Sequence, residues 1–228
     1  MMKLILSLTL IWALSSTAGA LQCQTCTDTQ CSTTVLQTCS SETMCVTASI
    51  QATSSGTPAQ QIFKACASSS LCPATGSQTF SANLGVSSAV ASATCCNTDN
   101  CNAGTLPFPA AQTNNSLQCF TCNPITSQCT TPLQCKGVED RCFQLNVTSG
   151  SSTTPVFGCA SANLCAAAAS PGSLPFLQSA GTNSSGPSCC GTSLCNTATT
   201  PTTAAGDACC IRLGMIPLLL GLLIFIIC

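Results

Sequence analysis

The chain has 228 residues, of which 23 are cysteine and none is histidine, and five basic against six acidic side chains give it a formal net charge of −1 at pH 7. The absence of a basic cluster argues against a nucleic-acid partner. The absence of histidine removes the usual general base for a serine or cysteine nucleophile. The composition therefore disfavours both nucleic-acid binding and nucleophilic catalysis.

The first 20 residues have the three parts of a secretory signal peptide. Lys3 supplies a basic start, residues 4–13 an apolar run, and residues 18–20 a small-residue cleavage site. The mature chain is expected to begin at Leu21. Export delivers it to an oxidising compartment, the setting in which so many cysteines persist as disulfides.

A set of ten cysteines occurs twice in the same order, with the two sets about 95 residues apart. The sequence around the cysteines also matches. LQCQTC at 21–26 corresponds to LQCFTC at 117–122, and CCNTDNCN at 95–102 corresponds to CCGTSLCN at 189–196. A period this long exceeds that of a solenoid unit. The sequence therefore predicts two copies of one small domain, at 21–102 and 117–196.

Each copy spans about 80 residues rich in Ser, Thr and Ala, a size at which small domains usually need covalent staples. A disulfide that closes a loop of about 15–25 residues removes roughly 3 kcal/mol of unfolded-chain entropy. Five disulfides per copy are the expected framework. A redox or zinc role for the C-x-x-C pairs at 23–26 and 119–122 is disfavoured, because no α/β pattern surrounds them and zinc would leave other cysteines unpaired.

Short apolar alternations predict a β-hairpin in each copy, and no helical periodicity is present. The expected strands lie at 46–50 and 62–63 in the first copy, and at 143–147 and 156–157 in the second. Gly56 and Pro58 mark the first turn. The segments 72–95 and 165–189 lack a clear pattern. The prediction is an all-β fold with loops that project from a disulfide-stapled base.

The linker at 103–116 contains Pro107 and Pro109 and is expected to hold the domains in a preferred but not rigid relation. Residues 197–206 are dominated by Thr, Ala and Pro, a composition typical of an O-glycosylated stalk.

Three N-glycosylation triplets begin at Asn114, Asn146 and Asn183, all in or beside the second copy. Such triplets also arise by chance in Ser/Thr-rich sequence. On the secretory route at least two are expected to carry sugar, which leaves the first copy with more bare surface.

The C-terminal segment has the order of a glycosylphosphatidylinositol (GPI) attachment signal, with small residues at 204–208, a short spacer and an apolar tail at 215–228. A transmembrane helix is disfavoured, since fourteen residues reach only about 21 Å of a roughly 30 Å hydrocarbon core and no basic flank follows. Attachment is expected at Gly206, with 207–228 removed. Cleavage there also removes the three cysteines outside the repeats and leaves an even number.

The cysteine pattern resembles that of the lymphocyte-antigen-6/urokinase-receptor family, whose domains adopt the three-finger fold. The resemblance rests on the opening L-x-C-x-x-C, the closing C-C-x-x-x-x-C-N and all ten cysteines in order, over 21–102 and 117–196. Two-domain relatives include GPI-anchored receptors and soluble serum phospholipase inhibitors, and the anchor signal favours the former. The chain departs from many relatives in having few aromatic residues and no tyrosine.

Ten cysteines allow on the order of a thousand pairings, and the resemblance implies one of them for each domain. The implied pairs are Cys23–Cys45, Cys26–Cys31, Cys39–Cys66, Cys72–Cys95 and Cys96–Cys101, then Cys119–Cys142, Cys122–Cys129, Cys135–Cys159, Cys165–Cys189 and Cys190–Cys195. The fingers would be 23–39, 45–66 and 72–95, then 119–135, 142–159 and 165–189. The resemblance also implies a structural role for Asn102 and Asn196, whose amides can bridge backbone groups at the base.

Several further residues are candidates for surface or binding positions. The loop at 54–58 is either a binding loop or an inert polar turn. Phe80 and Phe176, in the third fingers, either anchor a partner or pack internally, and Phe108 in the linker is a candidate to seal the domain interface. Glu139 and Asp140 beside Arg141 are expected to form a solvated corner.

Together these features predict a two-domain, GPI-anchored glycoprotein on the extracellular face of the plasma membrane. It would bind an extracellular or cell-surface protein as a receptor or adhesion module, without a cofactor or catalysis. The alternative is an inhibitor or decoy of a phospholipase or of a complement-like assembly.

Overall fold

The computed structural model describes residues 20–28, 30–123, 126, 128–149, 152–169 and 187–197. Apart from Ala20 and Thr197, the predicted signal peptide, stalk, Gly206 and apolar tail lie outside these residues, as do Asn183 and Phe176. Within the described ranges the chain is mostly β, with two disulfide-rich domains, which confirms the predicted fold class. The elements are β1 (Gln22–Cys26), β2 (Thr34–Thr38), β3 (Met44–Ser54), β4 (Thr57–Ala67), β5 (Gly76–Asn83), β6 (Ser87–Cys96), β7 (Asn114–Thr121), β8 (Thr131–Lys136), β9 (Arg141–Ser149), β10 (Ser152–Ala160), α1 (Ala162–Ala169) and β11 (Ser188–Cys190).

Disulfides form the base of each domain. The ten cysteine pairs implied by the family resemblance are the pairs whose sulfur atoms lie at bonding distance, between 1.95 and 2.14 Å. Neighbouring disulfides also pack on each other, since Sγ of Cys23 lies 3.3 Å from Sγ of Cys39. The matching sulfur atoms of Cys119 and Cys135 are 3.2 Å apart. A compact sulfur cluster thus takes the place of a large apolar core at each base.

The three fingers of the first domain are hairpins. β1 pairs with β2, β3 with β4, and β5 with β6, all antiparallel. The β3–β4 turn consists of Ser55 and Gly56, whose φ angles of 48° and 82° fit the type I′ turn that matches strand twist. Pro58 lies just beyond the turn in β4, opposite Thr53. β4 ends its sheet, and an edge strand tolerates a residue without an N–H donor.

The second domain contains the short helix α1 in its third finger, whereas the sequence predicts no helix. Residues 166–169 are all alanine, the residue type with the highest helix propensity. Its first turn is capped from outside, because Oδ1 of Asp140 accepts a 2.8 Å hydrogen bond from the Ala162 N–H. In the first domain the matching segment makes one turn at Ser68 and then meets Pro73, which cannot continue a helix.

One antiparallel sheet runs through both domains, in the order β11-β9-β10-β5-β6-β3-β4. The domains join where β10 pairs with β5, with Cys159 opposite Asn83 and Ala160 opposite Ala82. Buried side chains of both domains also belong to one apolar core, which includes Phe80, Leu84, Phe143 and Leu164. The linker composition predicts a preferred but not rigid relation between the domains, whereas the shared sheet and core join them directly.

The linker packs against β3 and β4 of the first domain instead of spanning a gap between the domains. Thr47 Oγ1 donates a 3.0 Å hydrogen bond to the Asn102 carbonyl, Ser49 Oγ a 2.6 Å bond to the Leu106 carbonyl, and Lys64 Nζ a 2.5 Å bond to the Ala103 carbonyl. With the linker on one face and the apolar core on the other, most residues of β3 are buried. Phe108 does not seal the domain interface, since it remains 36% exposed.

Among the described residues, no helix has both the length and the apolar character needed to cross a bilayer.

Candidate functional site

The first finger of the first domain carries an exposed apolar pair. All five residues of β2 are exposed. Val35 and Leu36 at its centre each keep 52% of their surface accessible. Val35 lies opposite Thr25 and Leu36 lies opposite Gln24, so the partner strand offers no apolar cover. Successive side chains of a strand point to opposite faces, so one aliphatic side chain is left to solvent on each face of an otherwise polar finger.

The tip of this finger is internally ordered. Oδ1 of Asp28 accepts hydrogen bonds of 2.9 and 3.0 Å from the N–H groups of Gln30 and Ser32, and Oδ2 accepts one of 3.2 Å from Thr33. These backbone hydrogen bonds, that of Ser32 foremost, lower the pKa of the Asp28 carboxyl. A loop held by its own carboxylate loses little entropy when it binds a partner.

The tips of the second and third fingers are tied together. The Ser55 N–H donates a 2.9 Å hydrogen bond to the Val86 carbonyl, and the hydroxyls of Ser54 and Ser87 are 3.4 Å apart. The loop at 54–58, proposed from the sequence as a binding loop, is exposed from Ser55 onward. Val86 beside it is also exposed. The two tips therefore present one polar surface with a single aliphatic side chain.

Phe80 does not serve as an exposed anchor, because it is 1% exposed and packs in the core. The exposed apolar residues of the first domain are aliphatic, and the sequence interpretation did not single them out. The available signal was the adjacent pair Val35 and Leu36 inside the polar run STTVLQT, which breaks the alternation of a half-buried strand.

The predicted solvated corner at 139–140 is wrong for Glu139, which is only 2% exposed. Its carboxylate accepts hydrogen bonds from Ser81 Oγ at 2.7 Å, from Asn83 Nδ2 at 3.5 Å and from the Lys136 N–H at 2.7 Å. Burial raises the pKa of Glu139, and these hydrogen bonds offset part of the rise. Only Asp140 remains at the surface, 3.2 Å from Arg141.

A small cavity lies beside Glu139, between the linker, the sheet of the first domain and the β8–β9 turn. Its volume is about 170 Å³, and Gln51, Gln112 and Lys136 are among its lining residues. Ligand pockets usually enclose about 300–1,000 Å³ and are mostly apolar. This polar space is suited to a few waters at the domain junction rather than to an organic substrate.

Asn102 and Asn196 occupy equivalent places at the two bases, and both are buried. Oδ1 of Asn102 accepts the Gln24 N–H at 2.8 Å, while its Nδ2 donates to the carbonyls of Gln24 and Val46. Asn196 makes the same three bonds with Phe120 and with the Phe143 carbonyl. In each domain one side-chain amide links the first finger to the central strand.

Two groups of three sulfur atoms lie close enough to suggest metal ligation, namely Cys23, Cys39 and Cys66, and Cys119, Cys135 and Cys159. Each of these sulfurs is bonded to another cysteine. A disulfide sulfur lacks the thiolate charge that zinc binding requires. The two clusters are therefore structural.

The candidate glycosylation residues Asn114 and Asn146 are both exposed, at the start of β7 and within β9. Both lie in the second half of the chain.

The hairpins, the disulfide bases and the asparagine bridges define a tandem three-finger protein. Residues 19–104 match the family model of the u-PAR/Ly-6 domain, and residues 117–196 match that of the snake toxin and toxin-like proteins. The chain belongs to the two-domain u-PAR-like family. No curated protein matches the chain. Domains of this family are extracellular or cell-surface binding modules and are typically non-enzymatic.

Proposed function

We propose that this protein is a GPI-anchored cell-surface receptor or adhesion module whose first domain binds a protein ligand. The observation that carries the proposal is the exposed pair Val35 and Leu36 on the first finger. Aliphatic side chains on a rigid, disulfide-held strand bury apolar area in a complex without a large ordering cost.

The corresponding finger of the second domain is already used inside the molecule. Thr121 Oγ1 donates a 2.7 Å hydrogen bond to the Leu84 carbonyl. Leu133 also lies against Gly85, since a Cβ added at Gly85 would be 3.8 Å from Cδ1 of Leu133. Among the described residues, β2 of the first domain has no such contact with the other domain. This supports the first finger of the first domain as the surface available to a partner.

The distribution of candidate sugars supports the same assignment. We expect N-linked glycans at Asn114 and Asn146, because both side chains are exposed, and both lie in the second half of the chain. Between residues 21 and 206 the net charge is only −2, which gives little long-range steering. Such a surface suits contacts of modest affinity, strengthened by confinement to a membrane.

The ligand assignment is tested with the purified protein on an array of cell-surface protein ectodomains. Against any protein that binds, the double variant Val35→Ser/Leu36→Ser is expected to lose at least about tenfold in affinity, equivalent to about 1.4 kcal/mol. The matched control is Val138→Ser, an exposed valine of the second domain, which should leave binding unchanged. Full binding by the double variant would contradict the proposed site.

The anchor is tested separately on intact cells that express the full-length chain. A phosphatidylinositol-specific phospholipase is expected to release the protein into the medium, and complete retention would contradict a GPI anchor. Addition of the released protein to phospholipase assays tests the inhibitor hypothesis, which inhibition at micromolar concentration would favour over the receptor.

A further inference from the structure

The second domain holds β5 of the first domain with a compact set of groups, here called the β5-binding surface. Beyond the β10–β5 pairing, Ser161 Oγ accepts the Ser81 N–H at 3.1 Å, and the Ser161 N–H donates to the Ser81 carbonyl at 2.9 Å. Asn163 Nδ2 donates a 3.0 Å bond to the Thr79 carbonyl. The members of the surface are Thr121, Glu139, Gly158, Cys159, Ala160, Ser161 and Asn163.

The first domain carries a second copy of this surface. Counted back from the next shared cysteine in each case, the matching residues are Thr25, Glu42, Ala65, Cys66, Ala67, Ser68 and Ser70. Five of the seven positions hold the same residue. The local geometry agrees, because Oε2 of Glu42 accepts the N–H of the residue that follows Cys39, Ser40, at 3.0 Å. Glu139 accepts the N–H of Lys136, which follows Cys135, in the same way.

Two positions differ between the copies: Asn163 matches the polar Ser70, and Gly158 matches Ala65, a difference of a single methyl group. A Cβ at Gly158 would lie 2.1 Å from the Asn83 carbonyl oxygen and 3.1 Å from its carbon, which are both backbone atoms. Such a contact is far shorter than van der Waals distance, so β5 approaches only a glycine at this place. The matching residue of the first domain is Ala65, which has that Cβ. Ala65 lies opposite Val46 on β3 as Gly158 lies opposite the matching Phe143 on β9.

We propose that Gly158 and Ala65 determine where β5 docks, with the surface open in the second domain and closed in the first. β5 and β4 lie at opposite edges of the first domain's part of the sheet. The copy on the first domain is thus reachable only by β5 of another molecule. A head-to-tail contact of this kind would link chains without closing. The Ala65 methyl keeps the chain from such linkage, and this inference does not depend on the proposed ligand.

The test uses the full-length chain, expressed in secretory cells and purified in mild detergent, with disulfide mapping to show that all ten pairs are retained. Gly158→Ala is expected to release β5. Hydrogen exchange at the Ser81 N–H, which is bonded to Ser161 Oγ, should then accelerate at least about tenfold, while sedimentation still reports a monomer. Protection equal to that of the unmodified protein would overturn the role of Gly158.

The double variant Ala65→Gly/Gly158→Ala closes the β5-binding surface of the second domain and opens its copy on the first domain. It is expected to form oligomers whose size grows with protein concentration, whereas Gly158→Ala alone does not. A double variant that stays monomeric at all concentrations, or a single Gly158→Ala variant that oligomerises, would overturn the proposal.

Ala65→Gly alone leaves the existing interface intact and provides a measurement that does not require Gly158→Ala to fold. Its opened surface competes with the internal one, whose effective concentration across a short linker is in the millimolar range. Self-association above that of the unmodified protein is therefore expected near 1 mM. Identical sedimentation of the two proteins at that concentration would contradict the proposal.

Discussion

Ser81 Oγ donates a 2.7 Å hydrogen bond to Oε1 of Glu139, and this bond crosses the junction of the two domains inside buried surface. Glu139 holds the turn of its own domain through the Lys136 N–H and holds β5 of the other domain through Ser81 and Asn83. One carboxylate therefore couples the local fold of the second domain to its attachment to the first.

Glu139 is expected to make the stability of the junction depend on pH. Because burial raises its pKa in the folded state, the folded protein binds the proton more tightly than the unfolded chain does. Its contribution is fully present below the unfolded pKa of about 4.5 and is lost as the pH rises through the folded pKa. Each unit of elevation corresponds to about 1.4 kcal/mol. Urea unfolding at pH 4 and pH 7.5 should show that the unmodified protein loses stability relative to Glu139→Gln on going to the higher pH. A difference independent of pH would contradict the prediction.

Glu42, the equivalent residue of the first domain, is expected to respond in the opposite direction. Hydrogen bonds from its own N–H and from those of Ser41 and Ser40 lower its pKa. Its contribution is therefore present above the unfolded pKa and is lost as the pH falls through the folded pKa. In the same unfolding experiment the unmodified protein should lose stability relative to Glu42→Gln on acidification. If the stability difference from the unmodified protein changed with pH in the same direction for Glu42→Gln and Glu139→Gln, the domain junction would not distinguish the two carboxylates.

Asn102→Ala is expected to cost on the order of 3 kcal/mol of unfolding free energy. The change leaves the N–H and carbonyl of Gln24 and the carbonyl of Val46 without their partner. Asn102→Asp should cost more, because a carboxylate would face two carbonyl oxygens. The measurement is urea unfolding with the disulfides intact, and the exposed Asn97→Ala is the control. A loss for Asn102→Ala within about 0.5 kcal/mol of the control would contradict the bridging role.

Removal of the Cys26–Cys31 disulfide, at the tip of the first finger, is expected to be tolerated. Its sequence separation of five gives a loop-entropy contribution of about 2 kcal/mol, whereas the separation of 27 for Cys39–Cys66 gives about 3.6 kcal/mol. Cys39 is also buried against the Cys23 sulfur, so its replacement adds a packing loss. Thermal unfolding of the two paired Cys→Ser variants should rank them in this order, and a reversed ranking would argue against the sulfur cluster as the stabilising base.

The central hairpins could be predicted because their signals are local. Apolar alternation at 46–50 and a glycine in the turn require no knowledge of the rest of the molecule, and β3 and β4 lie where these signals place them. Helix α1 has no clear signal in the sequence, because its eight residues lack an apolar periodicity and part of its N-terminal cap comes from Asp140, which is distant in sequence. The burial of Glu139 is not predictable from the sequence, because a charged residue in a turn usually faces water and the groups that bury this one, Ser81 and Asn83, belong to the other domain.

By itself the sequence determined that there are two domains of one kind, because ten cysteines in a repeated order specify a covalent framework whatever lies between them. Only the tertiary structure decided that the domains share a sheet. That junction is made from backbone atoms at two strand edges, which every sequence possesses, and from the missing side chain of Gly158, whose purpose is visible only when the Asn83 carbonyl is found against it.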